Sequence, residues 1–216
     1  MESEKLGPVA TRVLFENDDV KVWEMDLQPG DVCGLHRHTM DYVLYILNGA
    51  RVGVESPGHK PYSFKVKARG TYFVPAGGVE SAHNVGDTRF HEALVELKRK
   101  PRPGAEKLGF VGCEAVAGKD PEPGVIVILD NERVRVSEAT LPAGAESGAK
   151  NYSHDAVMFV AEGAPLKIIE SAEGSSERVR EEAVTVGSAM WLPRGTRRNF
   201  VNAGSSRYRH MMVELK

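Results

Sequence analysis

His36 and His38, which are separated by one residue, have the type and spacing that point most directly to metal chemistry in this chain. Alternate side chains of a β-strand lie on the same face, so both imidazoles can reach one metal ion. The surrounding segment, residues 30–49, recurs 114 residues later with Lys150 and Tyr152 in place of the histidines. A lysine ammonium has no lone pair to donate to a metal. The sequence therefore predicts a metal site in the first copy and none in the second.

The recurrence extends well beyond the histidines and indicates a duplicated domain. Residues 13–30 align with residues 127–144, and the tetrapeptide Val-Glu-Leu-Lys ends at Lys98 and again at Lys216. The offset between equivalent residues is 114 in the first alignment (30 to 144) and 118 at the lysines (98 to 216), which four residues inserted within 171–182 explain. So many ordered matches do not arise by chance, and a repeat of this length corresponds to one domain.

Both halves have the pattern of short β-strands. Residues 20–27 and 134–141 alternate apolar with polar side chains, the period of a half-buried strand, and turns rich in glycine and proline separate such segments. This pattern predicts an all-β chain built from barrels or sandwiches. The expected organisation is an N-terminal domain over 1–98, a linker over 99–125 and a C-terminal domain over 126–216.

The charge and composition of the chain limit the kinds of partner that we expect. The formal net charge is −2 and the pI is near 6.4, so we expect no general attraction to nucleic acid or to anionic membranes. The N-terminal residues lack the basic-then-apolar order of a signal peptide. The two cysteines, Cys33 and Cys113, are expected to be free thiols in a reducing compartment. Together these features predict a cytoplasmic protein.

The spacing of glycine, histidine and proline in the first half resembles the two sequence motifs of the cupin family. The matching positions are Gly30, His36, His38 and Gly49 for the first motif and Gly70, Pro75, Gly77 and Asn84 for the second. With the repeat, the resemblance covers nearly the whole chain and implies a two-domain cupin, or bicupin, with two tandem jelly-roll-type β-barrels. The family includes dioxygenases, isomerases, lyases, storage proteins and sugar-binding regulators, so the resemblance alone selects no activity.

The chain departs from the family pattern at two ligand positions. Tyr42 stands where the first motif has glutamate, and Glu80 stands where the second has histidine. The ligand set that the resemblance implies is therefore His36, His38 and Glu80. Two histidines and one carboxylate suit Fe, Mn, Ni or Zn as divalent ions and leave coordination positions open. Tyr42 would face the metal, either as a catalytic hydrogen-bond donor or as a packed wall residue.

Two further residues are candidates for substrate binding. His83 is a better metal ligand by type than Glu80, but strand alternation places it on the opposite face, so we rank it behind Glu80 as a ligand. In the second half, Arg198 occupies the position equivalent to Glu80. Its guanidinium could bind a carboxylate or phosphate of a ligand, or pair with an internal carboxylate such as Asp155. We favour the internal pair and a structural role for this half.

These residues favour a metal-dependent enzyme that acts on a small organic molecule in the N-terminal barrel. A dioxygenase-like reaction is the best single hypothesis, because the ligand set leaves adjacent positions for a chelating substrate and dioxygen. The alternatives are a metal-dependent isomerase or lyase, and a non-catalytic bicupin that binds a small molecule or sugar in an apolar pocket. No metal is expected in the C-terminal barrel. Because cupins pair through barrel edges, a homodimer is consistent with the sequence.

Overall fold

A computed structural model describes residues 6–101, 108–172 and 176–216 of the chain. All regular secondary structure in these residues is β-strand, which confirms the predicted all-β fold. The chain divides into two compact units, Met1–Lys119 and Asp120–Lys216. No helix in the described ranges is long and apolar enough to cross a membrane.

The first unit consists of two antiparallel sheets that enclose an apolar core. Its strands are β1 (Arg12–Glu16), β2 (Val20–Leu27), β3 (Val32–Arg37), β4 (Tyr42–Asn48), β5 (Arg51–Glu55), β6 (Tyr62–Lys65), β7 (Thr71–Val74), β8 (Val79–Asn84), β9 (Phe90–Leu97) and β10 (Val111–Cys113). The larger sheet has the order β1-β2-β9-β4-β7-β10 and the smaller has the order β3-β8-β5-β6. Buried side chains from both sheets, such as Met25, Ile46 and Val52, form the core between them. This is the predicted jelly-roll arrangement, in which strands distant in sequence pair.

The second unit repeats this plan. Its strands are β11 (Gly124–Asp130), β12 (Val134–Leu141), β13 (Lys150–Tyr152), β14 (Ala156–Glu162), β15 (Pro165–Ala172), β16 (Arg178–Ala183), β17 (Ala189–Leu192), β18 (Thr196–Asn202) and β19 (Tyr208–Leu215). One sheet has the order β11-β12-β19-β14-β17 and the other β13-β18-β15-β16. Strands β15 and β16 are longer than their counterparts β5 and β6, so the inserted residues of the second half lie in this hairpin.

The same buried asparagine joins the two sheets in each unit. The Asn84 side-chain amide donates to Leu27 O at 2.9 Å and to Thr88 O at 2.8 Å. In the second unit, Asn202 makes the equivalent bond to Leu141 O at 2.9 Å. Both asparagines are fully buried, and the bonds fix the ends of strands from different sheets against each other. The shared asparagine of the repeat is therefore a structural residue.

Part of the segment predicted as a linker, residues 99–125, is built into the first unit. Strand β10 pairs antiparallel with β7 and extends the larger sheet to six strands. The boundary between the units falls between Lys119 and Asp120, and β11 begins at Gly124. Residues 102–107 of this segment lie outside the described residues. Strand β10 has no counterpart in the five-stranded sheet, so the internal repeat does not predict it.

Candidate metal centre

His36, His38 and Glu80 come together at one edge of the smaller sheet in the first unit. His36 on β3 pairs in register with Glu80 on β8. His38 follows the end of β3, where its backbone N–H donates to Gly78 O and its carbonyl accepts from Gly77 N. Gly77 has a φ of 119°, a backbone conformation that side chains disfavour, so glycine is needed in this turn. One candidate ligand atom from each of the three side chains lies within 4.8 Å of the others.

The donor set fits a divalent transition metal. His36 Nδ1 lies 2.8 Å from Gly34 O, so Nδ1 carries the proton and Nε2 keeps its lone pair, the usual arrangement of a metal-binding histidine. His38 Nε2 and Glu80 Oε1 are 3.8 Å apart, too far for a hydrogen bond. Two atoms bound to one such ion lie roughly 3–3.5 Å apart, given ligand bonds of about 2.1 Å. The buried His38 Nδ1 has no hydrogen-bond partner among the described residues, so the imidazole is not committed to other protein groups.

Tyr42 faces this site and Asp41 does not. The Tyr42 ring stacks on the His38 ring with centroids 4.1 Å apart and planes at 18°. Asp41 Oδ1 instead accepts a hydrogen bond from Ala76 N at 2.9 Å, and Asp155 in the second unit accepts the equivalent bond at 2.9 Å. The aspartate therefore holds the Pro-x-Gly turn, and the strand alternation inferred for positions 41 and 42 is confirmed.

The three candidate ligands form part of the wall of a cavity of about 530 Å³ between the two sheets. Most of the wall is apolar and comes from both sheets; representative residues are Met25, Leu44, Ile46, Val52, Phe90 and Leu94. Tyr42 and Glu92 interrupt the apolar surface, the latter from β9 of the larger sheet. A pocket of this size with few polar groups suits a small, mostly apolar organic molecule.

Burial controls protonation at this site. Burial and the adjacent His36 lower the pKa of His38 to about 4, so its imidazole is neutral at pH 7 and able to bind a metal. Burial raises the pKa of Glu80, and His36 partly opposes this effect. Burial also raises the pKa of Tyr42, and the charge of Glu80 adds to it, so the phenol keeps its proton. The site thus combines a neutral His38 imidazole with a phenol that can donate a hydrogen bond.

Sequence comparison links the first unit to plant auxin-binding proteins. The model of the auxin binding protein family matches residues 5–108. An auxin-binding protein of Nicotiana tabacum is 24% identical over 99 residues, which cover 43% of this chain and 53% of that protein. Auxin-binding protein 1 of Arabidopsis thaliana is 33% identical over 101 residues, covering 44% and 48%. The match thus spans about half the length of these curated relatives.

Solved structures resemble the whole chain. AerE from Microcystis aeruginosa matches with a TM-score of 0.67 over 94% of this chain and 90% of its own, at 10% identity. A Bacillus subtilis oxalate decarboxylase studied for its Mn(II) centres matches with a TM-score of 0.66 over 93% and 70%, at 10% identity. The chain therefore has the two-domain cupin fold. At such identities the likeness shows the fold, so the function of this cupin must be argued from its own residues.

The second barrel of the cupin carries a buried cation where the first carries Glu80. Arg198 is 1% exposed, its Nε lies 3.4 Å from Glu170 Oε2, and its Nη2 donates to Pro193 O at 2.7 Å. Arg198 therefore forms an internal ion pair, but its partner is Glu170 on β15 rather than Asp155. Arg198 is not among the residues that line the cavity of about 200 Å³ in this barrel. An internal carboxylate on a neighbouring strand thus engages the guanidinium.

His83 lies on the outer side of the smaller sheet, opposite to Glu80. Its Nε2 lies 3.0 Å from Ser81 Oγ and 4.0 Å from Glu55 Oε1. It lines a separate groove of about 390 Å³ together with Tyr62. Neither His83 nor Arg198 lines the cavity at the candidate metal centre, so the structure does not bring these two substrate-binding candidates to the cupin's ligand set.

The structure adds polar residues to the site that the sequence arguments missed. Glu92 lines the cavity from β9, and Glu114, just beyond β10, accepts a hydrogen bond from Tyr72 OH at 2.8 Å at another part of the wall. The strand period could have identified Glu92, because residues 90, 92 and 94 occupy alternate positions of β9 and share its inner face. No comparable signal existed for Glu114, which lies in the segment assigned to the linker.

Proposed function

We propose that this cupin is a metal-dependent enzyme that acts on a small, largely apolar organic molecule in its first barrel. The observation that carries the proposal is the convergence of His36, His38 and Glu80 on the wall of the 530 Å³ apolar cavity. The similarity to an oxalate decarboxylase with Mn(II) centres supports a metal in this fold. The equivalent of Glu80 in the second barrel is an arginine in an ion pair, which supports one metal ion per chain.

The residues of the first barrel have separate roles in this proposal. A divalent transition metal held by the three ligands would supply a Lewis acid and, as iron, a site for dioxygen chemistry. The apolar walls exclude water and orient the organic part of the substrate. Tyr42, stacked on His38, holds a proton and can donate a hydrogen bond to the substrate. Because three protein ligands leave positions for both a chelating substrate and dioxygen, we propose a dioxygenase-like reaction.

Metal analysis of the full chain, purified without added metal, tests the centre. We expect close to one transition metal ion per chain, lost in His36→Ala and retained in His83→Ala, the matched control on the opposite face of the sheet. A chain that stays metal-free after exposure to Fe(II), Mn(II), Ni(II) and Zn(II) in turn would contradict the proposal. Equal metal content in both variants would place the ion elsewhere.

Oxygen uptake tests the reaction type. The chain is loaded with Fe(II) without air, mixed with catechol as a chelating aromatic probe, and exposed to oxygen at an electrode. Uptake that depends on His36 supports the dioxygenase-like reaction. If the chain holds iron and binds catechol but takes up no oxygen, the reaction type is wrong while the metal centre stands.

A second candidate function is non-catalytic binding of a small molecule. The observation that favours it is the similarity of the first unit, which contains the whole ligand set, to proteins named for binding auxin. Calorimetric titration of the zinc-loaded chain with indoleacetate, an auxin, tests this function. Saturable binding without any chemical change of the probe supports it, and absence of binding argues against auxin as the ligand.

The proposed location of the protein is the cytoplasm, and its proposed partner is a small molecule. The proposed assembly is a homodimer, which light scattering would test.

A further inference from the structure

Glu92 is a buried carboxyl group on the wall of the first cavity, across from the candidate metal ligands. It is 5% exposed and lies on β9 of the larger sheet, whereas His36 and Glu80 lie on β3 and β8 of the smaller sheet. Its strand neighbours in register are Met25 and Ile46, both apolar residues of the same wall. The cavity therefore has polar groups on both sheets, with apolar surface around them.

The Glu92 carboxyl makes no hydrogen bond or ion pair within the described part of the chain. The other buried glutamates of this unit are paired. Glu24 lies 2.9 Å from His91 Nε2, and Glu96 accepts a hydrogen bond from Trp23 Nε1 at 2.6 Å. A buried polar group without a partner costs free energy, so an unpaired carboxyl on a cavity wall indicates a partner that enters the cavity.

The second barrel shows how the same position is satisfied by a contact within the protein. The residue equivalent to Glu92 is His210, 118 positions later (92 to 210), and its register partner Ala139 is equivalent to Met25. His210 Nδ1 lies 3.1 Å from Tyr208 OH. The equivalent of Tyr208 in the first barrel is Phe90, which has no polar atom to offer. The second barrel thus pairs its inward polar residue internally, and the first barrel leaves it open to the cavity.

We propose that Glu92 is a second anchor of the first cavity: a neutral carboxylic acid that donates a hydrogen bond to an oxygen acceptor of the ligand. The ligand class is a small apolar molecule with a metal-binding oxygen group at one end and a carbonyl-type acceptor at the other. The position of the metal-binding end of the ligand rests on the proposed metal centre, whereas the donor role of Glu92 does not.

The electrostatic surroundings of Glu92 support a neutral acid. The titratable groups near it are Cys33 and His36 on β3, Tyr42 on β4, Tyr72 on β7 and Glu80 on β8, while β2 presents Met25. Burial and the charge of Glu80 raise the pKa of Glu92 to about 8. The O–H of a neutral carboxyl donates a hydrogen bond to an acceptor, which favours ligand oxygens over ligand ammonium groups.

Infrared spectroscopy tests the neutral acid directly on the metal-free chain. We expect the carbonyl stretch of a protonated carboxyl at pH 7 in the wild-type chain and in Glu96→Gln, and its loss in Glu92→Gln. A wild-type spectrum at pH 7 without this band, or a band that survives Glu92→Gln, overturns the proposal. Because this measurement needs no metal, it stands even if the proposed metal centre fails.

Two matched probes test the donor role on the zinc-loaded chain. Para-acetylphenylacetate carries a carboxylate and a distal carbonyl acceptor, and para-isopropylphenylacetate has the same shape without the acceptor. We expect the wild-type chain to prefer the acetyl probe by about 5- to 10-fold, the worth of one hydrogen bond. Glu92→Leu should abolish the preference, and Glu92→Gln, which keeps a donor, should retain it. In a wild-type chain that holds zinc, equal affinities for the two probes, or no binding of either, overturn the proposal.

Zinc content of the same samples separates this proposal from the metal centre. Glu92→Leu should retain zinc, because Glu92 is not a ligand. A chain that holds no zinc but shows the infrared band would sink the proposed function and leave the acid in place. A chain that holds zinc but shows no preference between the probes would support the metal centre and overturn the role of Glu92.

Discussion

Replacing Glu92 with glutamine should remove a pH-dependent loss of stability from the first unit. The folded chain holds the Glu92 proton up to a pKa of about 8, whereas the ordinary value is 4.5. Between these values the folded state binds one more proton at Glu92 than the unfolded state does. The contribution of Glu92 to stability is therefore greatest below pH 4.5 and falls as the pH rises to 8. Each unit of pKa difference corresponds to about 1.4 kcal/mol, so the loss at pH 7 is about 3 kcal/mol.

The assay is urea unfolding of the metal-free chain at several pH values from 5 to 8. Trp191 is first replaced with phenylalanine, so that the fluorescence of Trp23 reports on the first unit alone. Relative to this background, Glu92→Gln should gain about 3 kcal/mol of unfolding free energy between pH 5 and pH 8. Parallel pH profiles for the background and Glu92→Gln would refute the reasoning.

Three further outcomes follow from the structure. Zinc at 100 times its dissociation constant should stabilise the wild-type chain by about 2.7 kcal/mol in thermal unfolding and should leave His36→Ala unchanged. Gly49→Ala should lower the unfolding free energy by about 1–3 kcal/mol, because a Cβ there would overlap the backbone oxygen of Val66. Gly163→Ala should cost less, because a Cβ at Gly163 would lie 3.1 Å from the nearest backbone oxygen. Equal effects of the two substitutions would contradict this reasoning. Asn84→Ala should cost about 2–4 kcal/mol in urea unfolding through the loss of buried hydrogen bonds, and a cost within error of zero would refute its structural role.

Two of the three candidate metal ligands could be predicted from local rules. His36 and His38 share a face by strand alternation, and Asp41 turns away from Tyr42 for the same reason. The third ligand, Glu80, is 42 positions from His38 (38 to 80), and only the spacing of a known motif placed it there. The register of β3 with β8 brings it into the set.

The sequence by itself determined the duplication, the all-β fold and the half of the chain that carries metal donors. Each of these follows from residue types at fixed spacings, which a strand converts into a common face. Only the tertiary structure decided that Arg198 pairs with Glu170, that β10 belongs to the first unit, and that Glu92 faces the cavity unpaired. The alternation of β9 shows that Glu92 shares a face with Phe90 but does not show which groups lie opposite. The physical reason is that hydrogen-bond partners across a barrel come from strands far apart in sequence, and their distances exist only once the sheets have closed around the core.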